Sequence, residues 1–378
     1  MNPEQVSPPS CPDAVWIDSP DALEAWLAHV ADGDVLGLDT EFTRRNTFHA
    51  QLSLLQLGHR GRHALVDPLA FDPGDMLERH IGQRPVVCVM HSAGEDLETL
   101  APWLPSGPAV LFDTQLAAAF GGLDLGLGYR ALVERFCGVA LDKGETRSDW
   151  NRRPLSESQK RYATLDVVYL HTLHEALLER VRKRGHEAWF QADCEHLKKR
   201  AEPDVIPDQP QRALSAAADW PGARQALLRR LLLWRERRAR ELDKPRNWLI
   251  DNPQALELAR HPPADMEALM QATRGQRALR GAQRHELLDL LQTPVEETEI
   301  DATDAIPPRP DPAARQTVRD MKKAVEHRAA ELDLPPGLLC PRKALEAMLA
   351  ELRWPASLDG WRHEQLRTTL QPWVTASA

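Results

Sequence analysis

The sequence predicts an α/β domain followed by two all-helical segments, and three observations carry that prediction. From Ala14 to about Arg200, short β-like runs precede or alternate with amphipathic stretches, the pattern of a sheet with helices packed on it. Residues 212 to 293, and again roughly 312 to 372, place apolar positions at helical spacing without strand-like alternation. Proline-rich stretches at 203 to 210 and 294 to 312 punctuate the chain. At 378 residues and 42% hydrophobic content, it is long enough for two or three cores.

Taken in order, residues 1 to 12 are proline-rich and expected to be disordered. A first helix is expected over Asp21 to Ala31, then strands over Val35 to Leu38, Leu52 to Leu57, His63 to Val66 and Val86 to Met90. Asp113 reads as the N-cap of a helix from Thr114 to Phe120. One amphipathic stretch then runs from about Glu157 to Arg182. The expected domains are 13–202, a linker at 203–211, a helical domain at 212–293, an acidic proline-rich linker at 294–312 and a second helical domain at 313–378. The helical segments read as a diverged repeat: Leu231 to Leu242 and the Lys244-Pro245 turn match Val318 to Leu332 and the Leu334-Pro335 turn.

No run of 18 or more apolar residues is present, and the N-terminus lacks the basic and apolar regions of a signal peptide, so the cytoplasm is the expected compartment. Five cysteines without C-x-x-C spacing argue against a disulfide framework or a zinc site. A net charge of −9 does not suggest a nucleic-acid binder, but residues 212 to 293 are locally basic. Arg224, Arg229, Arg230, Arg235, Arg237, Arg238 and Arg240 crowd one helix, which reads either as a solvated face or as a phosphate-contacting one.

The chemistry-bearing residues are acidic. Leu36 to Thr43 reads Leu-Gly-Leu-Asp-Thr-Glu-Phe-Thr, with Asp39 and Glu41 two apart after an apolar run. Residues i and i+2 share a strand face, and two carboxylates there repel unless solvent or a cation intervenes. The same D-x-E pattern at Asp193 to Glu195 and Asp265 to Glu267 falls on helix or loop, where the two acids diverge. Asp96 follows the apolar run Val86 to Met90 across a small-residue turn. Tyr162 and Asp166, four apart in a helical stretch, share one face. His91 reads as a strand-end residue satisfied locally.

Asp39, Glu41, Asp96 and Asp166 with Tyr162 resemble the set of the DEDD exonuclease superfamily in its tyrosine-containing branch. The Leu-Asp-Thr-Glu-Phe block, His91 to Leu97, Leu111 to Gln115, and Ser148 to Leu155 leading to Tyr162 resemble the ribonuclease D family over about residues 35 to 170. Thr164-Leu165 departs mildly from the small residues expected there and leaves the acidic set intact. The first helical segment resembles the HRDC module and the second is a weaker match, an order that also fits this family. The resemblance implies an RNase H-like domain with a mixed five-stranded sheet and flanking helices, followed by two HRDC-like domains.

Four convergent carboxylates suit hard, oxygen-seeking cations, Mg²⁺ or Mn²⁺, which lie roughly 3.5–4 Å apart in two-metal phosphoryl-transfer sites. From the resemblance, Asp39 is expected to bridge both ions, Glu41 and Asp166 to hold the water-activating one, and Asp96 to hold the second. Tyr162 is expected to orient the attacking water, since a phenol with an ordinary pKa near 10 is a poor base. The implied reaction is 3′ to 5′ hydrolysis releasing nucleoside 5′-monophosphates, on tRNA precursors and other structured RNA, by a monomer. Lys143, Arg147, Trp150, Arg152 and Arg153 are candidates for the substrate path; Trp150 reads equally as core. A DNA-directed exonuclease and a silent nucleic-acid scaffold remain alternatives.

Overall fold

The computed structural model describes residues 12–142, 144–145, 148–201 and 206–375. Lys143, Arg147, nearly all of the proline-rich N-terminus and part of the 203–211 linker lie outside the described residues.

The strands are β1 (Ala14–Ile17), β2 (Val35–Thr43), β3 (Gln51–His59), β4 (Arg62–Val66), β5 (Val87–Met90) and β6 (Val110–Asp113). They form one mixed sheet in the order β1-β4-β3-β2-β5-β6. The β2–β3 and β3–β4 pairs are antiparallel, while β1–β4, β2–β5 and β5–β6 are parallel. The sheet therefore has six strands, not the expected five. The two strands that sequence reading left unnamed, β1 and β6, are four-residue edges carrying the exposed Val15 and Val110. So short an edge strand carries too few residues for alternation to be detected.

The helices up to residue 200 are α1 (Pro20–Leu27), α2 (Gly74–Leu77), α3 (Gly94–Leu100), α4 (Thr114–Phe120), α5 (Tyr129–Cys137), α6 (Glu157–Val168), α7 (Leu170–Lys183) and α8 (Glu187–Arg200). The single stretch expected from Glu157 is thus two helices, interrupted at Tyr169. Further on come α9 (Gly222–Glu241), α10 (Arg246–Leu249), α11 (Asn252–Arg260), α12 (Met266–Ala272), α13 (Gly281–Gln292), α14 (Glu297–Asp301), α15 (Pro312–Glu331), α16 (Pro336–Leu339), α17 (Arg342–Glu351) and α18 (Trp361–Thr375).

The chain divides into two compact units. The first comprises residues 1–43, 51–203 and 317–378. Its core runs from the sheet into α15–α18, so the last helical segment is not a separate body as expected. Trp361 stacks on Trp189 with ring centroids 4.9 Å apart and meets Phe120 edge-on. Beside it Arg362 grips Asp193 through two 2.6 Å hydrogen bonds, and the Trp361 indole donates to the same carboxylate. Asp193, the helical D-x-E acid, is therefore a packing residue.

The second unit comprises residues 44–50 and 204–316, built around α9. Arg224, Arg229, Arg230, Arg235, Arg238 and Arg240 of α9 bond within the unit itself. Arg230 joins Glu299 and the carbonyls of Leu290, Thr293 and Pro294; Arg238 pairs with Glu286, and Arg240 and Arg246 with Glu236. Both helical segments share one internal geometry: a 20-residue helix, then Asp243 or Asp333 in the left-handed region (φ 48° and 52°), then a four-residue helix after proline.

Candidate active site

Strand β2 sets the geometry. Asp39 stands opposite Gln56 and Glu41 opposite Leu54 on β3, and residues opposite one another in an antiparallel pair share a face. That face, with Leu54 and Leu65, is where α6 packs. The helix comes close because β3 carries Gly58: a Cβ there would stand 3.1 Å from the Val167 carbonyl oxygen, a backbone atom adjacent to Asp166.

Thr40, between the two acids, points to the other face, and its Oγ1 donates to Asp96 Oδ1 at 2.5 Å. Asp96 sits in the first turn of α3. The turn into α3 is held by Asp113, whose Oδ2 accepts from the Ala93 amide at 2.8 Å. Its Oδ1 accepts from the amides of Gln115 and Leu116, so the expected N-cap of α4 forms and also steadies α3. His91 is locally satisfied: its Nδ1 lies 2.9 Å from Thr114 Oγ1, which itself donates to Met90 O. Burial lowers its pKa to about 4, so it is neutral at physiological pH.

Helix α6 opens with a capping box between Ser156 and Gln159 and presents Tyr162 and Asp166. The Thr164 hydroxyl, part of the departure from the family pattern, back-bonds to Lys160 O at 2.7 Å. Tyr162 lies beside Trp150, ring centroids 6.1 Å apart.

The four carboxylates disfavour one another's charge. Burial, then repulsion from Asp96, Asp166 and Glu41, pushes the Asp39 carboxyl well above the usual range. Glu41 rises to about 8 through burial and the charges of Asp166 and Asp96. Asp166 is pushed up to about 8 by burial and Asp96, with Arg130 pulling the other way. Asp96 reaches only about 6, because the Thr40 hydrogen bond opposes burial. Burial and the three nearby carboxylates raise the Tyr162 phenol, so it holds its proton. Among the described residues no three of His, Cys, Asp and Glu close round one point. The donors fit a divalent cation: all are hard oxygens, and positive charge would relieve their repulsion.

Other expected residues are placed elsewhere. Trp150 is core, 3% exposed among Leu54, Leu65, Leu155 and Ala163. Arg153 is committed to Asp67 through two 2.7 Å bonds, and also to Ser53 O and Trp150 O. Neither is available to a substrate phosphate or base; Arg152 is exposed. Sequence reasoning missed Thr40, which bonds Asp96, and Arg130, whose charge acts on Asp166. Only Thr40 carried a signal, as the hydroxyl inside the D-x-E triplet.

Two family models match the chain: a 3′–5′ exonuclease domain over residues 14–182 and an HRDC domain over 224–291. It is 39% identical to a ribonuclease D of Xanthomonas oryzae pv. oryzae, over 96% of this chain and 99% of that one. The chain belongs to the ribonuclease D family. A ribonuclease D of Pseudomonas paraeruginosa is 30% identical over 96% and 97%. The crystal structure of Escherichia coli RNase D, described as an exoribonuclease involved in structured RNA processing, superposes with a TM-score of 0.85 at 28% identity, covering 96% and 99%. As a ribonuclease D, this enzyme is a divalent-metal-dependent 3′–5′ exoribonuclease whose substrate is RNA. Among the described residues no helix is long and apolar enough to cross a membrane.

Proposed function

We propose that this enzyme shortens RNA from the 3′ end by one nucleotide at a time, releasing nucleoside 5′-monophosphates, with two Mg²⁺ or Mn²⁺ ions held by Asp39, Glu41, Asp96 and Asp166. The observation that carries this is the mutual destabilisation of four carboxylates from three elements, with Glu41 and Asp166 at about 8. A fold needs a reason to keep such a cluster, and a cation supplies one. Asp39 would bridge both ions, Glu41 and Asp166 would hold one, and Asp96, steadied by Thr40, the other. When bound, the ions lower the pKa of the attacking water and offset charge on the departing 3′ oxygen.

The chain's own residues do the positioning. Tyr162, protonated and half-buried, offers one donor and one acceptor to align water with the scissile phosphate. Arg152, Lys143 and Arg147 are assigned to the phosphates of the incoming strand, and exposed Arg130, the cation that Asp166 feels, joins them. Residues 13–202 form the exonuclease module, and residues 212–293 and 313–378 two HRDC-like modules. The shared helix, left-handed Asp and proline-helix sequence supports the second of these. The physiological substrates are read as tRNA precursors and other structured RNAs, the compartment as the cytoplasm and the enzyme as a monomer.

The test is digestion of tRNA transcripts carrying a short 3′ trailer, and of DNA of matching sequence, with Mg²⁺, Mn²⁺ or EDTA, resolved nucleotide by nucleotide. Metal-dependent stepwise loss of the RNA trailer is expected. Preference for DNA would overturn the substrate reading, and an intact trailer the reaction.

A further inference from the structure

The break between α6 and α7 falls three residues after Asp166, and a side chain from another helix occupies it. Tyr129, the first residue of α5, donates its hydroxyl to Leu165 O at 2.9 Å. The Tyr169 amide turns instead to Val167 O, two residues back. Leu165 and Tyr169 are the carbonyl and amide that an uninterrupted helix would join directly; here the phenol takes the carbonyl and the amide bonds elsewhere. Asp166 lies between the two. Insertion of a side chain into the helical ladder is a recognised cause of a bend, and Tyr169 shows it, with φ −97° and ψ −5°.

Tyr129 is itself held from two sides. Gln115, at the start of α4, donates to Leu127 O at 3.1 Å and fixes the approach to α5. The Tyr129 ring packs on His91, centroids 5.7 Å apart, and His91 is anchored through Thr114 at the end of β5. The phenol therefore connects the side of the cleft that carries Asp96 with the helix that carries Asp166.

We propose that Tyr129 is a positioning residue for Asp166 and Tyr162, its hydroxyl holding the Leu165 carbonyl out of the helical ladder at the turn that ends in Tyr169. In its absence the ladder closes directly, the helix straightens and both side chains turn away from Asp39. The inference rests on the reading of Asp166 as a metal ligand.

The test is Tyr129→Phe in the full chain, which removes one oxygen and keeps the ring. Its kcat on a 3′-tailed oligoribonucleotide should fall about 10- to 100-fold, the usual cost of losing a group that orients a ligand, with KM nearly unchanged. Two readouts do not depend on turnover: in the metal-free protein the Tyr169 amide should exchange hydrogen more slowly, because it joins the closed ladder, and the Mn²⁺ concentration giving half-maximal thermal stabilisation should rise. Leu177→Ala, a buried α7 change outside this contact, should lower the melting temperature while leaving the Mn²⁺ midpoint and Tyr169 exchange in place, which separates positioning from general weakening. An unchanged kcat and Mn²⁺ midpoint in Tyr129→Phe, with Asp166→Asn inactive, would overturn the inference. An active Asp166→Asn would overturn the ligand assignment beneath it.

Discussion

The Thr40 hydroxyl donates to the Asp96 carboxylate at 2.5 Å, so the residue between the two strand acids ties them to the third. Thr40→Val keeps the shape and removes the donor. The free Asp96 carboxylate should then swing from the cleft, and activity should fall about 10- to 100-fold with little change in melting temperature. Wild-type turnover in Thr40→Val would show that Asp96 holds its place without this bond.

The carboxylates predict an unusual pH profile for the metal-free protein. Glu41 and Asp166 at about 8 and Asp96 at about 6 are raised acids, so the fold holds protons that the unfolded chain has released. Stability from these groups is full near pH 4 and declines through about pH 8. His91 and His174, lowered by burial to about 4, act oppositely but are spent by their ordinary value of 6.5. Between pH 6.5 and 8 the melting temperature in EDTA should therefore fall. Glu41→Gln should flatten that fall, and stabilisation by Mn²⁺ should grow over the same interval, since cations compete with protons for the site. A melting temperature that climbs from pH 6.5 to 8 in EDTA would contradict the cluster.

Arg153 should matter for stability and not for RNA contact. Its guanidinium is the partner of Asp67, whose side chain is 8% exposed. Arg153→Gln strands that carboxylate and should cost about 3–5 kcal/mol, read from the urea midpoint, while the salt dependence of KM stays as in wild type. A stable variant with weakened RNA binding would return Arg153 to the substrate path.

Trp361 should support the exonuclease core from the far end of the sequence. It is 7% exposed and packs on Phe120 and Trp189. Trp361→Ala should cost about 3–5 kcal/mol and lower the temperature at which exonuclease activity is lost on heating. Unaltered thermal inactivation would mean that residues 317–378 do not share that core.

How much of this was legible in the sequence depended on the range of the interaction. Asp39, Glu41, Asp96, Tyr162 and Asp166 sit in local patterns that fix strand face, helix start and helix face, and the Asp113 cap is equally local. Trp150 and Arg153 stayed open between core and substrate path because a loop with cations and an aromatic looks the same whether its partner is a phosphate or a carboxylate 86 positions away. The arginines of α9 have the same ambiguity, resolved by Glu286 and Glu299. The α6–α7 break was hidden because apolar periodicity continues across Tyr169 and its cause, Tyr129, lies 36 residues from its acceptor. The merging of the last helices with the exonuclease core rests on the Asp193–Arg362 pair, 169 residues apart, which no local pattern records.

The most direct measurement is stepwise digestion of a 3′-tailed RNA by wild type and Asp39→Asn at saturating Mn²⁺, with bound Mn²⁺ counted in parallel. Wild type should bind two ions and shorten the RNA by single nucleotides. Asp39→Asn should remain folded, lose at least one ion and show no shortening. Substantial activity in Asp39→Asn, or two tightly held ions without that carboxylate, would contradict an active site built on Asp39 as the shared ligand.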